Sequence, residues 1–302
     1  MSRVFITGGT GFFGRSLLDY RLRHPELRKD DWTILSRDPG RFRSECPRLA
    51  SQPGVAFVRG DVRDFSAAGP FDAVVHAATA AVTTLPDAEM TSTIVDGTRR
   101  VIGFAAGCGA AKVLFTSSGA VYGPQSAPVA EEAPCRPATA YARGKLAAER
   151  LLAESGLDVR IARCFAFTGP HLNRRIHYAV GNFIQDCLDG RDIVVKGDGT
   201  PLRSYLYADD LVEWLFAVMD RGVRGRAYNV GSAAAMSIRH VAEAVRAALG
   251  AECGVKVLGS PAAGAAPSAY VPVVDRAKRE LGVAERVGFA EAVRLSAAGG
   301  AR

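Results

Sequence analysis

The sequence predicts an α/β protein built on a doubly wound parallel sheet. Two observations carry this expectation. Short apolar segments alternate with longer helical ones through the first half of the chain, and a glycine-rich turn joins the first apolar segment to a helix. The strand segments are 4–6, 32–35, 55–58, 71–76, 112–116 and 159–163, with long helices over 87–106 and 138–154. Right-handed crossovers then fix the topology, and ligands gather at the carboxyl ends of the strands.

The opening run, Arg3-Val4-Phe5-Ile6-Thr7-Gly8-Gly9-Thr10-Gly11-Phe12-Phe13-Gly14, reads as strand, turn and helix. Gly8 permits the tight turn. Gly11 lets a phosphate approach bare backbone, and Gly14 lets the helix lie flat on the strand. The start of the helix turns unpaired N–H groups toward an anion. Gly8, Thr10, Gly11, Phe12, Phe13 and Gly14 are therefore expected to hold a dinucleotide. The alternative is a plain flexible turn.

With 302 residues, 48% of them hydrophobic, the chain has room for a large α/β domain and a smaller lobe. The division expected is 1–168 for dinucleotide binding, with later segments returning to it, 169–296 mainly for substrate, and a disordered tail over 297–302. The later segment is read as a helix at 183–188, a turn at 196–200, helices at 208–219 and 237–249, a further element at 227–230 and a short helix at 275–281. Residues 262–268 read as a low-complexity linker.

The net charge of +7 comes from arginines that are scattered apart from short clusters such as Arg21/Arg23 and Arg174/Arg175, and most of them read as solvated surface. No basic run is interleaved with aromatics, so nucleic acid is not expected as a partner. No apolar run reaches membrane-spanning length and no signal-peptide pattern opens the chain, so a cytoplasmic protein is expected. The six cysteines (46, 108, 135, 164, 187 and 253) lie far apart with no CxxC, which suggests reduced thiols, no metal site and no disulfide framework.

The second strand ends in Ser36-Arg37-Asp38-Pro39. An acid at its end accepts from a ribose hydroxyl of NAD, whereas an arginine suits the 2′-phosphate of NADP. Ser36 stands at the expected acid position and Arg37 follows, with Arg41 nearby. NADP is therefore the expected cofactor. NAD is the alternative, since a one-residue shift puts Asp38 on the ribose. After the third strand, Asp61 is read either as an acceptor for the adenine amino group, with Val62 packing nearby, or as a cap on a following short helix. His76-Ala77-Ala78 closes the fourth strand: Ala77 and Ala78 let the cofactor lie against backbone, and His76 reads as a packed, hydrogen-bonded residue.

Tyr141 and Lys145 sit four apart, on one helix face. A phenol of pKa about 10 is a poor base at neutral pH. An ammonium about 4 Å away is worth roughly 4 kcal/mol at an effective dielectric near 20, or about three pKa units. A tyrosine so placed exchanges protons with a substrate oxygen near pH 7. Lys145 would also hold the nicotinamide ribose. Ser118, with Ser117 as the alternative, would hydrogen-bond the same oxygen from the end of the fifth strand.

These residues together resemble the extended short-chain dehydrogenase/reductase family, specifically its NAD(P)-dependent nucleotide-sugar epimerases, dehydratases and reductases. The resemblance rests on the glycine turn, Gly60-Asp61-Val62, His76-Ala77-Ala78, Ser117-Ser118 with Val121-Tyr122-Gly123, Tyr141 with Lys145, Gly169-Pro170, Gly197-Asp198-Gly199 leading to Arg203, and Tyr207-Ala208-Asp209-Asp210-Leu211. It implies a Rossmann-like fold with a smaller C-terminal substrate lobe, and hydride transfer at C4 of a nucleotide-diphosphate sugar. Tyr141 would move the proton, Ser118 steady the oxygen and Lys145 tune Tyr141. Arg203 would grip the diphosphate bidentately, the alternative being a surface ion pair. Asn182 is a second substrate contact or a helix cap. His171, Arg174, Arg175 and His177 are further candidates, while Asp209 or Asp210 would cap the helix containing Trp214.

Two departures narrow the choice. The family's dehydratases carry Asp-Glu after the central hydroxyl residue, where this chain has Gly119-Ala120, which argues against 4,6-dehydration. Ala166 stands where an asparagine is expected. A 4-keto-sugar reductase or a C4 epimerase follows, with Ser36-Arg37 favouring the reductase. The rivals are a redox-silent cofactor-binding regulator or scaffold, which would typically lack the tyrosine or lysine, and a reductase of small carbonyl compounds, against which Arg203 and the second lobe argue. The resemblance also implies a homodimer, formed through the two long helices.

Overall fold

The computed structural model describes residues 2–79, 85–175, 179–262, 264 and 266–299. The chain divides into two compact units: Met1–Gly123 with Pro134–Cys164 and Leu215–Tyr228, and Pro124–Ala133 with Phe165–Trp214 and Asn229–Arg302.

In the first unit the strands are β1 (Arg3–Thr7), β2 (Asp31–Ser36), β3 (Val55–Arg59), β4 (Ala73–His76), β5 (Lys112–Ser118) and β6 (Val159–Cys164). The sheet order is Ala227–Val230, β6, β5, β4, β1, β2, β3. The pairings of β1 with β2 and β4, of β2 with β3 and of β5 with β4 and β6 are all parallel. The order reverses at β1, the first strand of the chain, which is the switch point at which open α/β sheets bind ligands. β4 and β6 are buried along their whole length, as strands covered on both faces require. Phe5 anchors one layer of the core, with ring centroids 5.2 Å from Phe65, 5.3 Å from Phe71 and 4.5 Å from Phe104.

Helix ends follow local chemistry. Asp87–Cys108 stops at Gly109 in the left-handed region (φ 73°). Ala140–Glu154 starts where the Thr139 side chain accepts from the Ala142 amide. β5 runs two residues beyond the segment read from sequence, so Ser117 and Ser118 belong to the strand itself.

The second unit packs helices Ala179–Leu188, Ile238–Leu249 and Phe289–Ala298 around a core that includes Val180, Ile184, Val241, Val245 and Val293. Short strands complete it, including the parallel pair Ile193–Val195 and Val255–Val257. The first of these helices begins four residues before the helical stretch read from sequence. The last reaches into the segment expected as a disordered tail, and 300–302 lie outside the described residues.

Among the described residues, three arginines are exceptions to the solvated surface that most of them form. Arg21, Arg160 and Arg163 are buried. Arg21 lies over the Trp32 ring at 5.4 Å and donates to the carbonyls of Asp30 and Pro53, so backbone oxygens replace its water.

Candidate active site

The glycine turn forms the first part of the site. Gly8 has φ +73°, and a Cβ there would lie 2.5 Å from the backbone of Ala77, so the loops after β1 and β4 touch. A Cβ at Gly11 would meet only the Gly8 carbonyl oxygen, at 3.5 Å, which leaves open space before the helix Phe12–Arg23. That opening, at a helix N-terminus, fits a pyrophosphate. Gly14 differs from expectation: a Cβ on it would stand 2.1 Å from the backbone of Gly9, so its close neighbour is the turn rather than the strand. Gly9 is itself pressed on Ile34 of β2, a constraint not read from sequence.

A chain of hydrogen bonds fixes these two loops. The Ala78 amide donates to Thr7 Oγ1 (3.1 Å), and Thr7 Oγ1 lies 2.8 Å from His76 Nδ1. His76 Nε2 lies 3.0 Å from Thr98 Oγ1, which donates to the Ile94 carbonyl. The Thr98 proton is thus committed, and His76 must carry its own proton on Nε2. Burial first, then the Lys145 charge, push His76 down to about 3, so it is neutral at physiological pH. It is a packed positioning residue, as its sequence context suggested.

At the end of β2, Ser36 is buried and accepts from the Asp38 amide (3.2 Å), while Arg37 is exposed. The Asp38 side chain caps the helix Pro39–Glu45 by accepting from the Arg41 amide, and Arg41 pairs with Glu45 at 2.6 Å. Asp61 accepts from both the amide and the guanidinium of Arg63. Its bond with Arg63 holds its carboxyl below the usual range. Asp61 closes a turn and caps no helix. Val62 is buried against the position of Gly97.

Tyr141 and Lys145 lie on the helix Ala140–Glu154. Lys145 is buried, with Nζ donating to the Thr116 carbonyl (2.8 Å) and lying 4.9 Å from the Phe115 ring centroid and 5.9 Å from that of Tyr141. Burial pulls its pKa down to about 8. Tyr141 is half-buried.

The two serines of β5 differ. Ser117 donates to Glu149 Oε1, which also accepts from Arg163 Nε (3.1 Å), while Arg163 Nη2 donates to Glu149 Oε2 (2.8 Å) and Nη1 to Tyr122 Oη (3.1 Å). Burial opposes the Arg163 charge, but the Glu149 bond and charge outweigh it and raise its pKa. Ser118 is 5% exposed and accepts from the Ala120 amide, which starts the turn Gly119–Tyr122. Strand alternation sends its side chain to the other face from Ser117. Glu149 escapes a reading of the sequence, although it continues the spacing of four from Tyr141 and Lys145 along one helix stripe.

The remaining candidates lie in the second unit. Arg203 ends the strand Leu202–Arg203, donates to the Leu202 carbonyl (2.7 Å) and lies over the Tyr270 ring at 6.0 Å. Among the described residues it has no carboxylate partner, so it is not the surface ion pair of the alternative reading. Asn182 is exposed and is the fourth residue of Ala179–Leu188, inside the helix rather than at its cap. Asp210 is buried and accepts from the amides of Arg286 and Val287 at 3.1 Å each, so it ties down a distant segment instead of capping its own helix. Burial raises its pKa. His177 lies outside the described residues. Among the described residues, no cluster of His, Cys, Asp or Glu could hold a metal, and no helix is long and apolar enough to cross a membrane.

Comparison with known proteins matches residues 4–231 to the model of the NAD-dependent epimerase/dehydratase family. The chain is 28% identical to UDP-glucuronic acid decarboxylase 6 of Arabidopsis thaliana, over 97% of this chain and 87% of that protein. It is also 28% identical to UDP-glucose 4-epimerase of Streptomyces lividans, over 93% and 90%. Among solved structures, dTDP-glucose 4,6-dehydratase of Streptomyces venezuelae with NAD bound superposes at a TM-score of 0.83, with 26% identity over 97% of this chain and 95% of that one.

Proposed function

The chain belongs to the NAD-dependent epimerase/dehydratase family, and on that premise we propose that it performs hydride chemistry at C4 of a nucleotide-diphosphate sugar, as a 4-keto-sugar reductase or a C4 epimerase. The observation that carries this reading is the pairing of Tyr141 with a buried Lys145 whose ammonium is anchored on the Thr116 carbonyl.

A nicotinamide dinucleotide supplies the hydride donor or acceptor. The open space at Gly11 and the positive φ of Gly8 suit its pyrophosphate, and Ser36 with exposed Arg37 suits a 2′-phosphate, which favours NADP over NAD. The NAD of the Streptomyces venezuelae structure keeps NAD as the alternative. Thr10, Phe12, Phe13, Gly14, Asp61, Val62, Ala77 and Ala78 complete that surface in this proposal.

Tyr141 Oη takes the proton of the C4 hydroxyl on oxidation and returns it on reduction. Lys145 favours the phenolate, since its charge lies toward the Tyr141 ring, and in this proposal its donors beyond the one given to Thr116 serve the nicotinamide ribose. A positioned acid–base group of this kind contributes about 10²–10⁴-fold to rate. Ser118 donates to the same substrate oxygen, since Ser117 is committed to Glu149. Gly119 and Ala120 place no carboxylate beside Ser118, which favours chemistry confined to C4 over 4,6-dehydration.

Arg203 and Asn182 are the proposed contacts for the sugar nucleotide, with His177 as a further candidate. A homodimer through Asp87–Cys108 and Ala140–Glu154 is proposed as well. The outer face of this helix pair bears an open depression lined by Asp87, Thr91, Ser92, Val95, Ala140 and Arg143.

The test is to analyse the purified protein for bound oxidised cofactor and then assay it with UDP- and dTDP-sugars. Release of NADP on denaturation, with interconversion of C4 epimers, identifies an epimerase. Consumption of NADPH by a 4-keto sugar identifies the reductase. Carbon dioxide release from UDP-glucuronate, or water elimination from dTDP-glucose, overturns the assignment. So does turnover by Tyr141→Phe equal to that of the parent.

A further inference from the structure

The six cysteines lie far apart in sequence, yet two of them meet. Cys187 Sγ and Cys253 Sγ are 3.7 Å apart in the second unit. Neither is fully buried. Cys187 sits in the last turn of Ala179–Leu188, and Cys253 in the irregular stretch before Val255–Val257. The strand Ile193–Val195, paired with Val255–Val257, lies between them in sequence. We propose that Cys187 and Cys253 form a reversible disulfide that staples the end of this helix to the loop leading into the Val255–Val257 strand.

The distance sets what must move. A disulfide has an S–S length of about 2.05 Å, so the sulfurs must close by roughly 1.6 Å. The surroundings allow this: Cys187 is one residue from the helix end, ahead of Gly190 in the left-handed region, and Cys253 adjoins Gly254 in a stretch without regular structure.

The chemistry is exchange with a low-molecular-weight disulfide such as oxidised glutathione. Burial, followed by its hydrogen bond to Cys253, pushes the Cys187 thiol up to about 12. Cys253, after losing its proton to solvent, attacks the external disulfide. The S–S bond of glutathione breaks, one glutathione thiolate leaves, and a mixed disulfide forms. Cys187, deprotonated as it reacts, then attacks the Cys253 sulfur and displaces the second glutathione thiolate. The two cysteines lose two electrons, and one external disulfide becomes two thiols.

The pair is distinguished from the chain's other cysteines. Cys164 is buried, and burial pushes its thiol up to about 12. Cys46 and Cys135 are likewise raised by burial. Among the described residues, Cys187 and Cys253 are the only two cysteines within hydrogen-bond reach of each other.

The test incubates the native full-length protein in glutathione buffers from fully reduced to fully oxidised, blocks free thiols with N-ethylmaleimide, and maps tryptic peptides without reduction. The expected result is a Cys187–Cys253 cross-link within one chain, a mass lower by two hydrogens, and reversal by dithiothreitol. Closing so long a loop is expected to raise Tm by about 5 °C or more. Cys187→Ser and Cys253→Ser should match the reduced parent in Tm and gain nothing on oxidation. The proposal is overturned if both cysteines are alkylated at every glutathione ratio, if Cys253 stops at the glutathione adduct, or if the cross-link joins two chains. The peptide map of the unmodified sequence decides this whether or not the serine variants fold.

Discussion

Ser117 donates its hydroxyl hydrogen to Glu149, eight residues beyond Tyr141 on the same helix. Adjacent serines on one strand therefore serve different faces of the sheet, one inside a buried ion-pair network and one at the end of β5, where a ligand binds in this fold. The two should separate on mutation. Ser118→Ala is expected to lower kcat about 10²-fold with little change in Tm, by removing a donor to the reacting oxygen. Ser117→Ala is expected to leave kcat within a few-fold and to cost about 1–3 kcal/mol of stability, because Glu149 loses a buried partner. Steady-state kinetics and urea unfolding on both variants check this, and a reversed pattern would exchange the two roles.

Glu149 and Arg163 are 6% and 11% exposed in their side chains, and together they join the Ala140–Glu154 helix to β6 and Tyr122. Removing one partner of such a pair leaves a buried charge without compensation. Glu149→Ala is expected to cost about 3–5 kcal/mol. The double variant Glu149→Leu, Arg163→Met removes both charges and should be more stable than Glu149→Ala alone. Denaturant unfolding of the parent, Glu149→Leu, Arg163→Met and the double variant measures the coupling. If the double variant is the least stable, the network does more than satisfy its own charges.

The strands of the larger unit and their parallel, doubly wound arrangement were legible because apolar segments and a glycine turn are local signals. The turn at Gly8 and the packed, hydrogen-bonded role of His76 were legible for the same reason: a strand end followed by small residues has few solutions. What escaped the sequence depends on contacts between distant positions. Gly9 is constrained by Ile34, Asp210 by the amides of Arg286 and Val287, and Cys187 by Cys253. The two-residue strands, such as Leu202–Arg203, are too short to leave a periodicity. Glu149 is the instructive miss. Its spacing was visible, but only its partners Ser117 and Arg163 give that spacing a meaning.

His76 makes folding stability sensitive to acid. Its pKa falls from about 6.5 unfolded to about 3 in the folded protein, through burial and then the Lys145 charge. A depressed folded value means that the unfolded chain binds the proton first as pH drops. The stabilisation is fully present above pH 6.5 and is lost as pH falls toward 3. Between pH 7 and pH 5 this group alone should remove about 2 kcal/mol. His76→Gln cannot take up that proton, so it should lose about 2 kcal/mol less over the same interval, even if it is less stable at pH 7. Parallel urea titrations at the two pH values decide the matter, and equal pH slopes would mean that His76 is solvated in solution.

Lys145 predicts opposite responses of activity and stability to alkali. In the folded protein its ammonium loses its proton near pH 8, against 10.5 for the ordinary side chain, because burial disfavours the charge. Below pH 8 both states are charged and the burial cost is fully present. Between pH 8 and 10.5 the folded state has shed the proton while the unfolded chain still holds it, so this group's contribution to stability improves, by up to about 3 kcal/mol. The charge that favours the Tyr141 phenolate is lost over the same interval. kcat/KM of the free enzyme should therefore bend downward near pH 8 and fall about tenfold per pH unit beyond it. Urea unfolding over that range should show no matching loss of stability from this group. Lys145→Met should be slower at pH 7 and lack the limb near pH 8. An alkaline limb that survives unchanged in Lys145→Met would assign the titration to another group and remove Lys145 from the proton-transfer machinery.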